Sequence, residues 1–196
     1  MPFYASIIQK GYLWHKLNEF YEFNGLRTDF SHPRQVAILN DWNGIGDSIL
    51  LGHWGDVLFD STIQPNNYSY DEQIEILKKK IINVGGSELA SDLWQAWGLK
   101  GTFNESLSSQ LDQLYNDIKI DNAIARIRAF KSLNWAPNWT SINSSIFNKL
   151  GNLIIPYYEN EMCKFICTVP EEFLHGRKIQ IEYIKKYCPE AAKISW

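Results

Sequence analysis

The spacing of apolar and polar residues along the chain predicts a mainly helical protein. From residue 70 to residue 81, apolar side chains recur at three- or four-residue steps, which is the spacing of one helix face. A second helix is predicted after Thr102, because Thr102 and Glu105 have the spacing of a capping box. The positions expected to form core on these two helices are Ile74, Leu77, Ile81, Leu107, Leu111, Leu114, Tyr115 and Ile118.

Three further helices are predicted in the second half of the chain. We place them at residues 123 to 130, 160 to 168 and 177 to 186, and Asp121 is the expected cap of the first of these. Residues 134 to 143 are rich in Asn, Trp and Pro, and we interpret them as an aromatic connector without regular structure.

One short run departs from the helical spacing. Residues 49 to 51 are Ile-Leu-Leu, and turn residues on either side of them favour a buried strand. Gly52 and Gly55 follow, where glycine lets the backbone turn sharply and lets a ligand approach it closely. Asp56 then lies just beyond the carboxyl end of the strand, where open α/β sheets bind their ligands.

A single strand among many helices is an unusual prediction for a self-sufficient fold. Its backbone would be unpaired on both edges, and burying such groups is costly. We therefore expect its sheet partners to lie elsewhere and residues 1 to 196 to be a single partial domain of a larger α/β structure.

Composition excludes some classes of partner. The net charge of −3 over 196 residues gives no electrostatic basis for binding nucleic acid or an anionic membrane. No stretch approaches the roughly 20 apolar residues of a membrane span, and no signal-peptide core is present, so a cytoplasmic location is expected. Cys163, Cys167 and Cys188 lack the spacing of a metal site, and we expect buried structural thiols.

Two blocks of sequence resemble the asparagine synthetase family. Block 1 is Leu51-Gly-His-Trp-Gly-Asp-Val-Leu-Phe-Asp60, which is similar to that family's Ser-Gly-Glu-Gly-Ser-Asp-Glu-(Val/Leu)-Phe-Gly motif. Block 2 is Ile155-Pro-Tyr-Tyr-Glu-Asn-Glu-Met-Cys-Lys-Phe-Ile-Cys-Thr-Val-Pro170, which is similar to a later family segment that also runs between two prolines. The order and separation of the blocks fit the family, and the resemblance extends from about residue 24 to the end.

The resemblance implies a fold and a reaction. The fold would be the C-terminal portion of an ATP-pyrophosphatase-type α/β domain, of the adenine nucleotide α-hydrolase-like class, here mainly α with a minor β element. The reaction would transfer ammonia to an adenylated small-molecule carboxylic acid, with ATP and Mg2+ as cofactors. AMP and pyrophosphate would be released.

The resemblance also implies roles for residues of block 1. Asp56 matches the family's Mg2+-pyrophosphate aspartate, and Gly52 matches the first motif glycine; with Gly55 they form the expected cofactor-binding set. His53 replaces a glutamate that does acid–base work, and it is the candidate catalytic residue because histidine can move a proton near neutral pH. In block 2 the family's acid either survives as Glu159 or is lost.

Several family features are missing from the sequence. No Ser-Gly-Gly-x-Asp-Ser phosphate loop precedes block 1, no N-terminal cysteine nucleophile is present, and no basic loop follows block 2. We therefore expect a truncated piece of a synthetase-like protein. The missing portion would be an N-terminal glutaminase and ATP-binding part, or a second copy would complete the protein.

Three interpretations stay open from the sequence. The chain is part of an ATP-dependent amidotransferase, or it is a catalytically degenerate relative that binds or scaffolds a partner, or it does not fold stably alone. For Asp56, the alternative to metal binding is an acid that caps the turn after a strand. For His53, the alternative is a purely structural hydrogen bond.

Overall fold

The computed structural model describes residues 5–8, 10–24, 34–59, 62–64 and 66–194. These residues are mainly helical with two short strands, which confirms the coarse prediction of a mainly α protein with a minor β element. No helix among them is both long and apolar enough to cross a bilayer. The α-helices and strands in chain order are α1 Tyr12–Asn24, α2 Arg34–Trp42, β1 Ser48–Leu50, α3 Gly55–Leu58, α4 Tyr70–Ile81, α5 Gly86–Ala96, α6 Phe103–Asn116, α7 Ala123–Phe130, α8 Ser141–Ser144, β2 Asn152–Ile154, α9 Asn160–Thr168, α10 Glu171–Leu174 and α11 Lys178–Tyr187.

The chain divides into two compact units. Residues 1–59 and 132–169 form one, here called the sheet unit, and residues 60–131 and 170–196 form the other, the helical unit. A π-helix spans Lys131–Thr140. Its first residue, Lys131, belongs to the helical unit, and its other residues belong to the sheet unit. Short 3-10 helices complete the described structure at Ser145–Lys149, Pro156–Tyr158, His175–Arg177 and Ala191–Lys193.

The sheet unit contains the predicted strand and a partner for it. Strands β1 and β2 pair in parallel, with Ile49 opposite Leu153. The pairing continues past the strand ends, since the Leu51 N–H donates to the Ile154 carbonyl at 2.9 Å. The expectation that the sheet partner would lie elsewhere is therefore wrong. Strand β2 has only three residues, and so short an apolar run carries no periodic signal.

The prediction that residues 49 to 51 are buried is only partly right. Leu50 is 70% exposed, and Ile154, its register partner, is also exposed. Successive side chains of a strand point to opposite faces, so Ile49 and Leu153 share the other face. That face packs against the core of the sheet unit, which consists of Phe20, Val36, Leu39, Ile146 and Phe147.

The helical unit has a core formed by α4, α6 and α7. Ile74 and Leu77 of α4 are buried, which confirms the predicted stripe, and the capping box at Thr102 is present. Leu114 on α6 was expected in the core but is exposed. Its neighbour Tyr115, which was also expected in the core, is fully buried, and the Tyr115 hydroxyl donates to the Gln73 side chain at 2.7 Å. The core consists of Ile63, Ile74, Leu77, Leu111, Tyr115, Ile118, Ile124, Ile127 and Phe130.

Two local predictions are wrong. Asn122, not Asp121, caps α7, since its side chain accepts a hydrogen bond from the Ala125 N–H. The supposed connector at residues 134 to 143 is helical, because it falls within the π-helix and α8. The π-helix contains Pro137, and Ala136 and Thr140 on it are buried.

The cysteines also differ from expectation. Cys167 and Cys188 are exposed, and Cys163 is partly buried. Cys163 and Cys167 lie on α9, of which Ile166 is the buried residue. The prediction of buried thiols is therefore wrong for α9, where Ile166 is buried and neither cysteine is fully buried.

Candidate functional site

The two sequence blocks meet where the parallel strands end. Block 1 follows β1 and block 2 follows β2, so the pairing of the strands carries both blocks to the same edge of the sheet. Phe59 of block 1 contacts Tyr157 of block 2 edge to face, with ring centroids 6.1 Å apart. The carboxyl edge of a parallel sheet is where ligands bind in open α/β folds. This edge of the sheet unit is therefore the candidate site.

The turn of block 1 is built around Trp54. Trp54 has a left-handed backbone, with φ of 74°, and is 5% exposed. Bulky residues rarely adopt this conformation, and it persists only where surrounding contacts hold it. The indole Nε1 donates to the Ser132 hydroxyl at 3.1 Å, and the ring packs on Tyr158 at 6.1 Å between centroids. The sharp turn predicted from the glycines is made by a tryptophan instead.

Gly55 is required by packing against block 2. A Cβ added to Gly55 would lie 2.6 to 3.0 Å from three ring atoms of Tyr157, which is closer than such atoms approach one another. Gly55 has no left-handed backbone, so its role is to let Tyr157 lie against the chain. Gly52 differs, because an added Cβ there would meet no atom within 4 Å. Of the two glycines, Gly52 is the one that leaves open space beside the backbone.

The two candidate polar side chains lie on either side of the Trp54–Gly55 pair. Asp56 is exposed in the first turn of α3, whereas Val57 and Leu58 after it are buried. His53 lies in the preceding turn and is partly buried. One exposed carboxylate and one imidazole are thus presented at the end of β1. Asp60, the last residue of block 1, lies outside the described residues.

Block 2 contributes Tyr158 to the same region, a partly buried tyrosine whose hydroxyl is buried. Burial raises the pKa of Tyr158, and the nearby hydroxyls of Thr140 and Ser141 oppose the rise. The Tyr158 hydroxyl is buried without a well-formed hydrogen bond within the described residues. Tyr158 therefore stays protonated at neutral pH and packs against Trp54 as a neutral ring.

The acid of block 2 lies apart from these contacts. Glu159 is exposed and precedes α9 without a side-chain capping bond. Within the described residues, no group of three or more His, Cys, Asp or Glu side chains is placed to hold a metal ion. Asp56 thus supplies an exposed carboxylate at this edge of the sheet.

Comparisons of the chain with family models, with curated proteins and with solved structures give no match. The resemblance to asparagine synthetases therefore rests on the residues of blocks 1 and 2.

Three residues of the site were not singled out from the sequence as site residues: Trp54, Ser132 and Tyr157. Gly55 offers a signal for one of them, because an isolated glycine beside a strand often marks a close approach of another segment. Nothing in the spacing indicates that this segment is Tyr157, 102 positions later, or that Ser132 accepts from Trp54.

Proposed function

We propose that the chain is part of an asparagine synthetase-like, AMP- and pyrophosphate-forming amidotransferase, with its phosphate-binding acid at Asp56. The single observation that supports this most is the meeting of blocks 1 and 2 at one edge of the parallel sheet. Both blocks resemble segments of the same family, and about 100 residues separate them in the sequence. Their contact is what a shared site requires.

Two residues at this edge, Asp56 and Gly52, fit a metal–pyrophosphate ligand. Asp56 supplies an exposed carboxylate, and Gly52 leaves open space beside the backbone. Mg2+ binds through one or two carboxylates together with phosphate oxygens and water. When bound, the ion would screen phosphate charge while the carboxylate of the small-molecule acid attacks the α-phosphorus of ATP, so that the adenylyl group is transferred to the acid and pyrophosphate leaves. Asp56 would hold this ion, and Gly52 would let the phosphates approach the main chain.

His53 and Gly55 have different proposed roles. His53 is in the turn next to the open space at Gly52, so its imidazole is the group that would accept a proton from incoming ammonia. Gly55 acts on the site indirectly, because its contact with Tyr157 sets where α3 begins. Asp56 is the second residue of that helix.

The first test is binding of Mg2+ and inorganic pyrophosphate to the chain by isothermal titration calorimetry. We expect Mg2+-dependent binding, and we expect Asp56→Asn to weaken it at least about tenfold, which corresponds to about 1.4 kcal/mol. Asp47→Asn is the matched control, because Asp47 is an exposed acid just before the same strand, at its amino end. Absence of binding, or equal binding by Asp56→Asn, would overturn the assignment.

The same comparison extends to activity in the whole protein. There, Asp56→Asn should abolish Mg2+-dependent pyrophosphate formation. His53→Gln should lower AMP release in the presence of ammonia while leaving pyrophosphate affinity unchanged. Loss of pyrophosphate affinity in His53→Gln would assign His53 to binding and not to proton transfer.

A second candidate function is a binding or scaffolding role in a relative that has lost catalysis. Exposed apolar side chains favour it, among them Leu50 and Ile154 on one face of the sheet. In block 1, His53 and Val57 occupy the positions of the two glutamates in the family motif, and this loss of acids points the same way. Under this alternative, no carboxylic acid elicits AMP release, and Asp56→Asn and wild type are equal in every assay of pyrophosphate.

A further inference from the structure

Helix α5 in the helical unit carries an exposed apolar stripe. Leu89, Leu93 and Trp97 follow one another at four-residue steps, so they lie along one side of the helix. Their exposed fractions are 61%, 38% and 69%, and α5 contains no buried residue. We call these three residues the α5 stripe. An amphipathic helix normally turns such a side to a core, and this one does not.

The orientation of α5 is fixed by contacts on another side. Trp94 packs edge to face on Phe103 of α6, with ring centroids 6.0 Å apart. The Ser87 hydroxyl donates to the Asn104 side chain at 3.2 Å. Because Trp94 holds the helix against α6, the α5 stripe is presented outward by the fold itself.

The α5 stripe has an acidic margin. Glu88 and Asp92 are one helical turn apart, and both are exposed. Helix α5 contains no Lys or Arg, so its net charge is −2. A surface that covers the stripe should therefore combine apolar or aromatic groups with positive charge.

Helix α11 of the same unit has these properties. The rings of Tyr183 and Tyr187 contact each other at a tilt of 41°, with centroids 4.7 Å apart, and the two residues are 62% and 59% exposed. We call these two residues the tyrosine face. Lys186 lies beside it, with its Nζ 5.1 Å from the Tyr187 ring centroid. Three lysines and one glutamate give α11 a net charge of +2, and it too contains no buried residue.

We propose that the α5 stripe of one chain packs against the tyrosine face of a second copy of the chain. The charges of −2 and +2 on the two helices are complementary, and each copy carries both surfaces. Two copies can therefore make two equivalent contacts, as in a twofold homodimer. This pairing is separate from the pyrophosphate chemistry proposed for the sheet unit.

The exposed area of the two surfaces approaches that of a small stable interface. With about 150–250 Å² for a whole aromatic side chain, the exposed parts of Trp97, Tyr183 and Tyr187 amount to roughly 400 Å² per chain. Leu89 and Leu93 add to this area. When both surfaces are covered on both copies, the buried area comes close to the lower end of the roughly 1,200–2,000 Å² found in stable interfaces.

The first experiment is sedimentation equilibrium of the whole chain over a wide range of concentration. We expect reversible self-association, weakened at least about tenfold by Trp97→Ser, because aromatic residues at interface centres carry much of the binding energy. Trp14→Ser is the matched control, since Trp14 is a similarly exposed tryptophan (76%) in the sheet unit. A wild-type chain that is monomeric throughout, or equal effects of the two variants, would overturn the proposal.

A charge exchange tests the choice of partner surface. Asp92→Lys and Lys186→Glu should each weaken self-association, and the double variant should recover most of it because the opposite charges face each other again. Asp117→Lys, an exposed acid at the end of α6, should have no such effect. If the double variant is no stronger than the single ones, α11 is not the surface that covers the stripe. All sites are exposed, and circular dichroism verifies that each variant is folded.

Discussion

The helical unit and the sheet unit gain their internal order in different ways. In the helical unit, three helices place aliphatic and aromatic side chains at regular steps, and those side chains meet in one core. In the sheet unit, the candidate site depends on a few individual features. These are the left-handed backbone of Trp54, the contact of Gly55 with the Tyr157 ring, and the hydrogen bond from the Trp54 indole to the Ser132 hydroxyl. The first kind of order is distributed over many positions, whereas the second depends on individual atoms. Mutations should therefore act differently in the two units.

The largest effect is expected for a truncation in the core of the helical unit. Leu77 is fully buried among side chains of α4, α6 and α7. Leu77→Ala removes those contacts and leaves a cavity, so it should lower the free energy of unfolding by about 2–5 kcal/mol. Leu114→Ala is the control, because Leu114 belongs to the same predicted pattern but is exposed, and it should cost less than about 1 kcal/mol.

Urea unfolding of the two leucine variants, with hydrogen exchange read by mass spectrometry, measures this difference. Faster exchange in Leu77→Ala should begin in residues of the helical unit. Equal costs for the two variants would mean that the core is not organised as described.

A smaller and more local effect is expected in the sheet unit. Gly55→Ala would force a methyl group into the Tyr157 ring, and overpacking of this kind costs about 1–3 kcal/mol. Gly52→Ala adds the same group where nothing lies within 4 Å, so its cost should be within about 0.5 kcal/mol. Thermal unfolding of both variants checks the contrast. A Gly52→Ala variant that is as destabilised as Gly55→Ala would contradict the packing described for block 1.

The two units also differ in how far sequence predicts them. Helices α4 and α6 and their capping residues follow from periodicity and cap chemistry, because neighbouring residues determine both. The prediction of a buried Leu114 is wrong because Leu114 lies close to the apolar face of α6 in angle, and only the packing of α7 and α4 decides that Tyr115 is buried and Leu114 is exposed. Burial on a helix edge is a tertiary property.

In the sheet unit, the sequence predicted the strand and the turn that follows it, but not the contacts that fix them. Strand β2 is three residues long, and pairing with β1 brings together segments about 100 positions apart. Trp54 takes a conformation that local preferences disfavour, and the indole bond to Ser132 helps to hold it. Such conformations follow from long-range packing, so no local sequence pattern predicts them.

The dependence of the free energy of unfolding on alkaline pH tests whether Tyr115 is buried in the core of the helical unit. Burial raises the pKa of Tyr115 to about 12, although the Arg126 guanidinium, 4.1 Å from the ring centroid, opposes the rise. The folded protein therefore holds the Tyr115 proton more tightly than the unfolded chain, whose tyrosine pKa is about 10. The resulting stabilisation is complete below pH 10 and is lost as the pH rises from about 10 to about 12.

Urea unfolding at a series of alkaline pH values measures this loss. Tyr115→Phe removes the ionisable group and should lack this part of the pH dependence. At neutral pH the variant should be less stable than wild type by about 1 kcal/mol, because Gln73 loses its hydrogen-bond donor. Identical alkaline profiles for the two proteins would show that Tyr115 is not buried as described.

The smallest effect is expected at the capping box of α6, which contrasts with the start of α3 at Trp54, where no side chain caps the helix. The Glu105 N–H donates to the Thr102 hydroxyl at 3.2 Å, and the Thr102 N–H donates to the Glu105 carboxylate at 3.0 Å. Thr102→Ala should cost about 1 kcal/mol, whereas Thr102→Ser keeps the hydroxyl and should cost a few tenths.

The stability cost of Thr102→Ala should also depend on pH in the acid range. The backbone bond from Thr102, and then its hydroxyl, lower the pKa of Glu105 below that of an unfolded glutamate. The contribution of the carboxylate is therefore present above the unfolded pKa and is lost as the pH falls through the folded pKa. The stability difference between wild type and Thr102→Ala should narrow in acid, because only wild type has the bond from the Thr102 hydroxyl to the Glu105 carboxylate, and protonation of Glu105 weakens it. Unfolding curves at neutral and acid pH measure that difference, and an unchanged gap would assign the whole effect to the hydroxyl.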